Sequence, residues 1–326
     1  MNDHISDILR CKYKKALVTG GAGFIGSHLV DALLDAGLEV VSIDNYIAGK
    51  PENISHLQHH PKFREVQCDV LDFDKLDGCF DGVDIVFHEA ASKKNVCLKD
   101  PRLDLRVNGE GTFNLLELSL KHKVKKFVHA STGSVYGEAK IFPEKEDHPL
   151  EPVSYYGVSK LAGERYTKAF EVLYGLDATI LRYFHVYGPR QESGVFGGVI
   201  AIFARTILEG KNPTIFGDGF QERSFTYVKD VVNANLYVAA TDGTKGECYN
   251  CASGINITIN QICEILLDTL DKNRKLHAEY RDWLVGDIKK FQISNEKLKN
   301  LGFRFQYDFD TGLRETVQFF EQTYKR

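Results

Sequence analysis

The chain of 326 residues has no run of eighteen apolar residues, no internal repeat and no low-complexity linker. The first absence argues against a membrane-spanning helix, and the protein is expected to have no membrane partner. Excess charge of one sign is also missing: 41 Lys and Arg stand against 45 Asp and Glu, with a pI near 6.3. Such a balance gives no electrostatic footprint for nucleic acid. The one basic run, Lys121-His122-Lys123-Val124-Lys125-Lys126, falls where a helix should end, and complementing that helix's dipole explains it without a partner. The opening Met1-Asn2-Asp3-His4-Ile5 lacks the apolar stretch of a signal peptide, so a cytoplasmic location is expected.

Cysteine is present but unpaired in pattern: seven residues, an odd number, are scattered along the chain and are expected to be reduced thiols packed as small apolar groups. Cys248-Tyr249-Asn250-Cys251 has the look of a metal clamp, but its surroundings read as a strand, where residues three apart face opposite sides. His56, His59 and His60 lie in a polar segment with no carboxylate or cysteine nearby and read as a solvated face. No metal site is expected.

What is present is an alternation of apolar strands with helical patterns, the signature of an α/β fold with a doubly wound parallel sheet. Strands are predicted at 15–19, 40–43, 63–67, 84–88, 126–130 and 178–182, with helices over 100–121 and 154–174. A hydrophobic content of 43% suffices for a large core. Past Gly188-Pro189-Arg190 the rhythm changes, with glycine-rich loops at 194–198 and 217–219 and helical stretches near 199–209, 229–240, 258–269 and 310–323. The division expected is a nucleotide-binding domain over about 1–185 and a smaller substrate lobe over about 186–326, parts of which return to the sheet. In such folds the cleft opens at the carboxyl ends of the strands.

The segment Thr19-Gly20-Gly21-Ala22-Gly23-Phe24-Ile25-Gly26 follows the apolar strand Lys15-Ala16-Leu17-Val18-Thr19 and opens a helix with Ile25, Leu29, Leu33 and Leu34 on one side. Gly20 permits a tight turn, Gly23 lets the backbone approach a pyrophosphate, and Gly26 lets helix pack on strand. In this strand-turn-helix context dinucleotide binding is favoured over a bland glycine turn. Asp44 ends the next apolar run about twenty residues on, where a carboxylate accepts hydrogen bonds from a ribose diol and repels a 2′-phosphate. That favours NAD over NADP, although Lys50 stands close by and an acid capping a turn is an equally ordinary use of Asp44.

Tyr156 and Lys160 lie four apart in Tyr156-Gly157-Val158-Ser159-Lys160, on one face of a predicted helix. A phenol has a pKa near 10, and lowering it by roughly 3 units takes about 4 kcal/mol of differential stabilisation of the phenolate. A neighbouring ammonium and an oxidised nicotinamide supply charge of the right sign, making the tyrosine a base. Alone, the spacing fits a core aromatic and a solvated amine equally well; its weight comes from the glycine turn and Asp44.

With Asp69-Val70, His88-Glu89-Ala90-Ala91, Asn108-Gly109-Glu110-Gly111-Thr112, Ser131-Thr132-Gly133-Ser134-Val135-Tyr136-Gly137 and Arg182-Tyr183-Phe184 in order, the chain resembles the extended short-chain dehydrogenases/reductases. Within them it looks like the nucleotide-sugar epimerase/dehydratase family, nearest the UDP-hexose 4-epimerases. The resemblance implies a Rossmann fold and bound NAD. Phe24 and Ile25 are then expected at the pyrophosphate, Asp44 and Asn45 at the adenosine ribose, and Asp69 and Val70 at the adenine. Glu89, Ala90, Ala91, Ser92, Lys93 and Phe184 would line the cofactor, with Asn108 steadying the strand behind it; helix capping explains Asn108 equally well without the family. Thr132 would bond the sugar's O4 while Tyr156 carries the proton and Lys160 anchors the nicotinamide ribose.

The family's dehydratases carry an acidic pair after this threonine, where Gly133 and Ser134 stand, and its decarboxylases tend to carry a glutamate there. With no carboxylic acid or base at these positions, reversible oxidation at C4, hence 4-epimerisation, is the implied reaction. Arg223 matches the diphosphate-binding arginine, for which a surface salt bridge is the ordinary alternative, and Phe216 and Val199 match residues flanking base and substrate. His185 replaces a frequent asparagine, and Leu284-Val285-Gly286-Asp287 replaces a late Arg-x-Gly-Asp pattern, leaving Arg281 as the nearest upstream arginine. Lys93 and Lys94 favour an acidic sugar or screen the diphosphate. Other readings are a keto-sugar reductase using NADPH and a non-catalytic NAD-binding regulator. The helices over 100–121 and 154–174 match the family's dimer faces, so a homodimer is expected.

Overall fold

A computed structural model describes residues 3–92, 94–194, 197–283 and 292–324, with the backbone alone for 94–96. In chain order the elements are α1 (Asp3–Lys12), β1 (Lys15–Thr19), α2 (Phe24–Asp35), β2 (Glu39–Asp44), β3 (Phe63–Gln67), α3 (Phe73–Asp77), β4 (Ile85–His88), α4 (Lys94–Lys99), α5 (Pro101–Leu105), α6 (Gly111–Lys121), β5 (Lys126–Thr132), α7 (Tyr155–Tyr174) and β6 (Ala178–Tyr183). Then follow β7 (Val186–Tyr187), α8 (Val199–Leu208), β8 (Thr214–Phe216), β9 (Glu222–Tyr227), α9 (Val228–Ala240), β10 (Cys248–Cys251), β11 (Ile255–Thr258), α10 (Ile259–Leu270), β12 (Glu279–Arg281), α11 (Glu296–Asn300) and α12 (Phe309–Tyr324).

Seven strands form the main sheet in the order β10-β6-β5-β4-β1-β2-β3, and the pairings from β6 through β3 are parallel. This is the Rossmann arrangement: the order reverses beside β1, the strand that feeds the glycine turn. Strands covered on both faces read as continuous apolar runs, as β1 and β4 do. α2 covers one face through Leu29, Val30, Leu33 and Leu34, all buried at helical spacing.

α7 is bounded by sequence chemistry at both ends. Ser154 caps it by accepting the Gly157 amide, and Gly175 closes it in the left-handed region at φ 73. The single helix expected over 100–121 is instead α5 and α6 joined by a π-helical turn at Arg106–Glu110. One extra residue in a turn leaves the apolar spacing almost unchanged, so the pattern reads straight through it. Within the first thirteen residues, given no role by the sequence, α1 spans Asp3–Lys12: Leu9 is buried, and past the helix the Tyr13 hydroxyl donates to the Ala239 carbonyl at 3.0 Å.

The chain divides into two compact units: residues 1–137, 149–183 and 231–249 form the first, and 138–148, 184–230 and 250–326 the second. Residues 138–148 thus group with the second unit and 231–249 with the first. The second unit holds a three-stranded sheet, β11-β9-β7, and a two-stranded one, β12-β8. Its core is aromatic, with Tyr187, Phe225, Tyr227 and Phe309 buried together. No helix among the described residues is long and apolar enough to cross a membrane.

Candidate active site

The glycine turn is closed so tightly that side chains do not fit. A Cβ on Gly26 would sit 2.1 Å from the Gly20 carbonyl oxygen, and one on Gly23 would sit 2.9 Å from the same atom. Gly20, at φ +66, would bring a Cβ to 2.9 Å from the Ala90 amide nitrogen. At Gly23 the N-cap of α2 has no side-chain hydrogen bond, and the first turn holds no acidic residue. The amides of Phe24 and Ile25 and the positive end of the helix dipole are thus left for an anion.

Asp44 ends β2 buried, its carboxylate accepting the Ala22 amide at 3.0 Å and the Tyr46 amide at 2.8 Å. Burial pushes its pKa up, and these amides oppose the rise. The acid both closes the loop and presents negative charge beside the turn. Asn45 donates to Asp69 at 2.7 Å, and the other Asp69 oxygen accepts the Leu71 amide at 2.9 Å. The ribose and adenine candidates Asp44, Asn45, Asp69 and Val70 are brought together at the ends of β2 and β3.

The reacting end lies at β4, β5 and α7. Thr132 is the last residue of β5; its hydroxyl donates to the Ser134 hydroxyl at 3.3 Å and accepts the Ser134 amide at 3.1 Å, and its nearness to the Tyr156 phenol acts to lower the phenol's pKa. Burial outweighs it and pushes Tyr156 up to about 12, with the charges of Asp104 and Cys97 adding to the rise. Lys160, one turn on, is buried and donates to the Ala130 carbonyl at 2.6 Å. Burial lowers its pKa to about 8, against Glu89, Glu164 and Asp104, which raise it. His88 and His129, paired in register on β4 and β5, are held neutral by burial and by the Lys160 charge.

Asn108 lies in the π-helical turn and is fully buried. Its side-chain oxygen accepts the Ser92 amide at 2.9 Å, and its amide donates to Ser159 at 2.9 Å and to Asp104 at 3.2 Å. It therefore fastens the loop after β4 to α7 rather than capping a helix or supporting a strand. Ser159 and Asp104, absent from the sequence candidates, complete this knot through a 2.6 Å bond. Behind it, Glu164 and Arg182 form a buried two-pronged ion pair, with Ser131 also donating to Glu164.

In the second unit, Phe216 and Arg281 are register partners on β8 and β12, and the Gly217 amide donates to the Arg281 carbonyl at 2.8 Å. Trp283, which sequence reasoning passed over although it is the chain's single tryptophan, lies against Gly217. Arg223 lies on the other sheet, buried on β9 and paired with Ile257 of β11. Val199 opens α8, capped by Gly198. Phe184 is buried just past β6, and His185 takes a positive φ of 31, a region where histidine and asparagine are both enriched. Lys93, the Lys94 side chain and Leu284-Val285-Gly286-Asp287 lie outside the described residues. Among the described residues, no group of three or more His, Cys, Asp or Glu could hold a metal ion.

A Rossmann sheet with this turn, an acid ending β2 and a threonine–tyrosine–lysine set at β5 and α7 defines a nicotinamide-dependent enzyme of the short-chain dehydrogenase/reductase type. Residues 16–252 match the model of the NAD dependent epimerase/dehydratase family, and the chain belongs to that family. A putative UDP-glucose 4-epimerase of Methanocaldococcus jannaschii is 38% identical over 308 residues, 92% of this chain and 96% of its own length. A UDP-N-acetylglucosamine 4-epimerase from Methanobrevibacter ruminantium M1, solved with UDP-N-acetylmuramic acid, is 37% identical with a TM-score of 0.90, covering 96% of this chain and 99% of that one. A UDP-glucuronic acid 4-epimerase from Bacillus cereus, solved with UDP-glucuronic acid and NAD, is 33% identical with a TM-score of 0.88, covering 95% and 100%. NAD is the cofactor of the family, and the uncapped turn with Asp44 beside it fits that group.

Proposed function

We propose that the protein is an NAD-dependent 4-epimerase of a UDP-hexose or of its N-acetyl or uronic acid form, working through a transient 4-keto sugar. The observation that carries the reading is the placing of the Thr132 hydroxyl beside the Tyr156 phenol at the end of β5, followed by Gly133 and Ser134 instead of a carboxylic acid. Elimination of water or loss of carbon dioxide needs a further proton carrier at that place, whereas oxidation and reduction at C4 need only one.

When bound, NAD would supply hydride transfer at C4, out and back to opposite faces of the sugar ring. Thr132 holds the sugar's 4-oxygen, and Tyr156 takes the hydroxyl proton and gives it back after the keto sugar has turned over. Burial disfavours the Tyr156 phenolate, and the positive charge of an oxidised nicotinamide would oppose that effect. Lys160, fixed on the Ala130 carbonyl, holds the nicotinamide ribose and adds its charge. Gly20, Gly23, Phe24, Ile25 and Gly26 hold the pyrophosphate, Asp44 and Asn45 the ribose, and Asp69 and Val70 the adenine. Glu89, Ala90, Ala91, Ser92, Asn108 and Phe184 form or support the rest of the cofactor's bed. Arg223 and Arg281 grip the diphosphate, Phe216 flanks the base, and His185 and Val199 meet the rest of the substrate.

The exposed apolar residues Tyr155, Val158, Tyr166 and Leu173 lie on α7, and Leu105 and Phe113 on α5 and α6, with Phe113 and Tyr166 ring centroids 5.3 Å apart. This supports a homodimer formed across these helices.

Purified protein incubated separately with UDP-glucose, UDP-N-acetylglucosamine and UDP-glucuronate, followed by NMR of the anomeric proton, is expected to give the C4 epimer of at least one. Tyr156→Phe should lower that rate by about 100-fold or more while NAD remains bound. Formation of no epimer from any of the three overturns the reading.

A further inference from the structure

Glu89 is the first residue past β4, the strand between β1, which leads into the glycine turn, and β5, which ends at Thr132. Neighbouring strands lie about 4.8 Å apart. A cofactor reaching from the first turn of α2 to Tyr156 therefore crosses the end of β4. Glu89 and Ala90 are pressed against that path: a Cβ on Gly20 would lie 3.2 Å from the Glu89 carbonyl carbon, and the Ala90 amide donates to Thr19 at 3.2 Å.

The Glu89 carboxyl is held with a defined polarity. Asn235 donates its amide to the Tyr183 hydroxyl oxygen at 2.7 Å, and Tyr183 directs its own proton to Glu89 Oε1 at 2.8 Å. Asn235 is itself fixed by a 2.9 Å bond to the Val231 carbonyl and is fully buried. Burial pushes Glu89 up to about 7, while the Tyr183 bond and the Lys160 charge hold it down. In return, Glu89 is the strongest of the groups that raise Lys160. The carboxylate form is held by the Tyr183 hydroxyl that donates to it from β6 and by the charge of Lys160 on α7.

We propose that Glu89, held by Tyr183 and Asn235, is a charge-balancing residue that makes the protein prefer oxidised NAD, whose nicotinamide is cationic, over neutral NADH. The inference rests on the proposed nicotinamide site at the ends of β4 and β5. A fixed negative charge attracts the cationic ring and not the neutral one, so its removal acts on one redox form only. A merely structural glutamate would support both alike.

The test equilibrates the protein at pH 8 with a mixture of NAD and NADH, separates bound from free nucleotide, and measures the bound ratio by chromatography. Glu89→Gln is expected to shift the bound ratio toward NADH by about tenfold. Tyr183→Phe, which keeps the carboxylate but removes its support, should shift it in the same direction by a smaller factor. An unchanged ratio in both variants overturns the proposal, even where total nucleotide binding falls. Binding of neither nucleotide by the parent protein overturns the cofactor reading and the proposal with it, whereas a bound mixture with an unmoved ratio overturns the proposal alone.

Discussion

Asn108 donates its amide to Ser159 Oγ at 2.9 Å, and through that bond a π-helical turn is fastened to the helix that carries Tyr156 and Lys160. With its carbonyl on the Ser92 amide, one side chain sets the spacing between the loop after β4 and the proposed proton carrier.

Asn108→Ala leaves the Ser92 amide, Asp104 and Ser159 without that partner. The expected loss is about 2–3 kcal/mol in denaturant unfolding. A loss under about 0.5 kcal/mol, the range of ordinary surface changes, would contradict the role given to this knot.

Glu164 is buried and takes both prongs of Arg182, at 2.9 and 2.8 Å. Glu164→Ala leaves a buried guanidinium with one compensating bond fewer at each prong and is expected to cost about 3–5 kcal/mol. The ion pair of Arg10 with Asp7 is open to solvent, and Asp7→Ala should leave the unfolding midpoint almost unmoved. Equal losses in the two variants would contradict this ranking.

Much of the first unit was legible because fully buried parallel strands and one-sided helices leave continuous or periodic apolar runs, as in Lys15–Thr19 and Phe24–Asp35. The glycines at 20, 23 and 26, Asp44, Thr132, Tyr156 and Lys160 stood out because their spacing carries chemistry. The π-helical turn was not legible, since Arg106–Glu110 keeps a helical apolar pattern. Nor were the Tyr183–Glu89 bond, the Asp104–Ser159 bond or the grouping of 138–148 with the second unit, because each joins residues far apart in sequence. The short strand β12, with three residues, lies below the length at which alternation becomes a signal.

Glu144 is buried with neither carboxyl oxygen hydrogen-bonded among the described residues, and burial pushes its pKa from 4.5 to about 7. The folded state thus favours the protonated acid. Stability from this group is greatest below the unfolded pKa of about 4.5, falls as pH rises toward 7, and is level above. Glu89 and Asp230, also raised, bend the profile the same way, so the comparison is with Glu144→Gln. At pH 8 that variant should be more stable by about 2–3 kcal/mol, with the advantage fading toward pH 5. An advantage that does not change with pH would contradict the assignment.

Val158, half exposed on α7, lies in the apolar face proposed to pair two copies. Val158→Glu should convert a dimer into a monomer by light scattering, while far-ultraviolet dichroism stays the same. A parent protein that is already monomeric at micromolar concentration would contradict the homodimer.

The central claim is that the hydrogen leaving C4 stays within the protein while Tyr156 moves only the proton. A UDP-hexose that is turned over, deuterated at C4, tests it directly. The account predicts that the epimer keeps the deuterium at C4 in ordinary water, and that Tyr156→Phe slows the conversion without releasing the label. Loss of deuterium to solvent during epimerisation by the parent protein would contradict it.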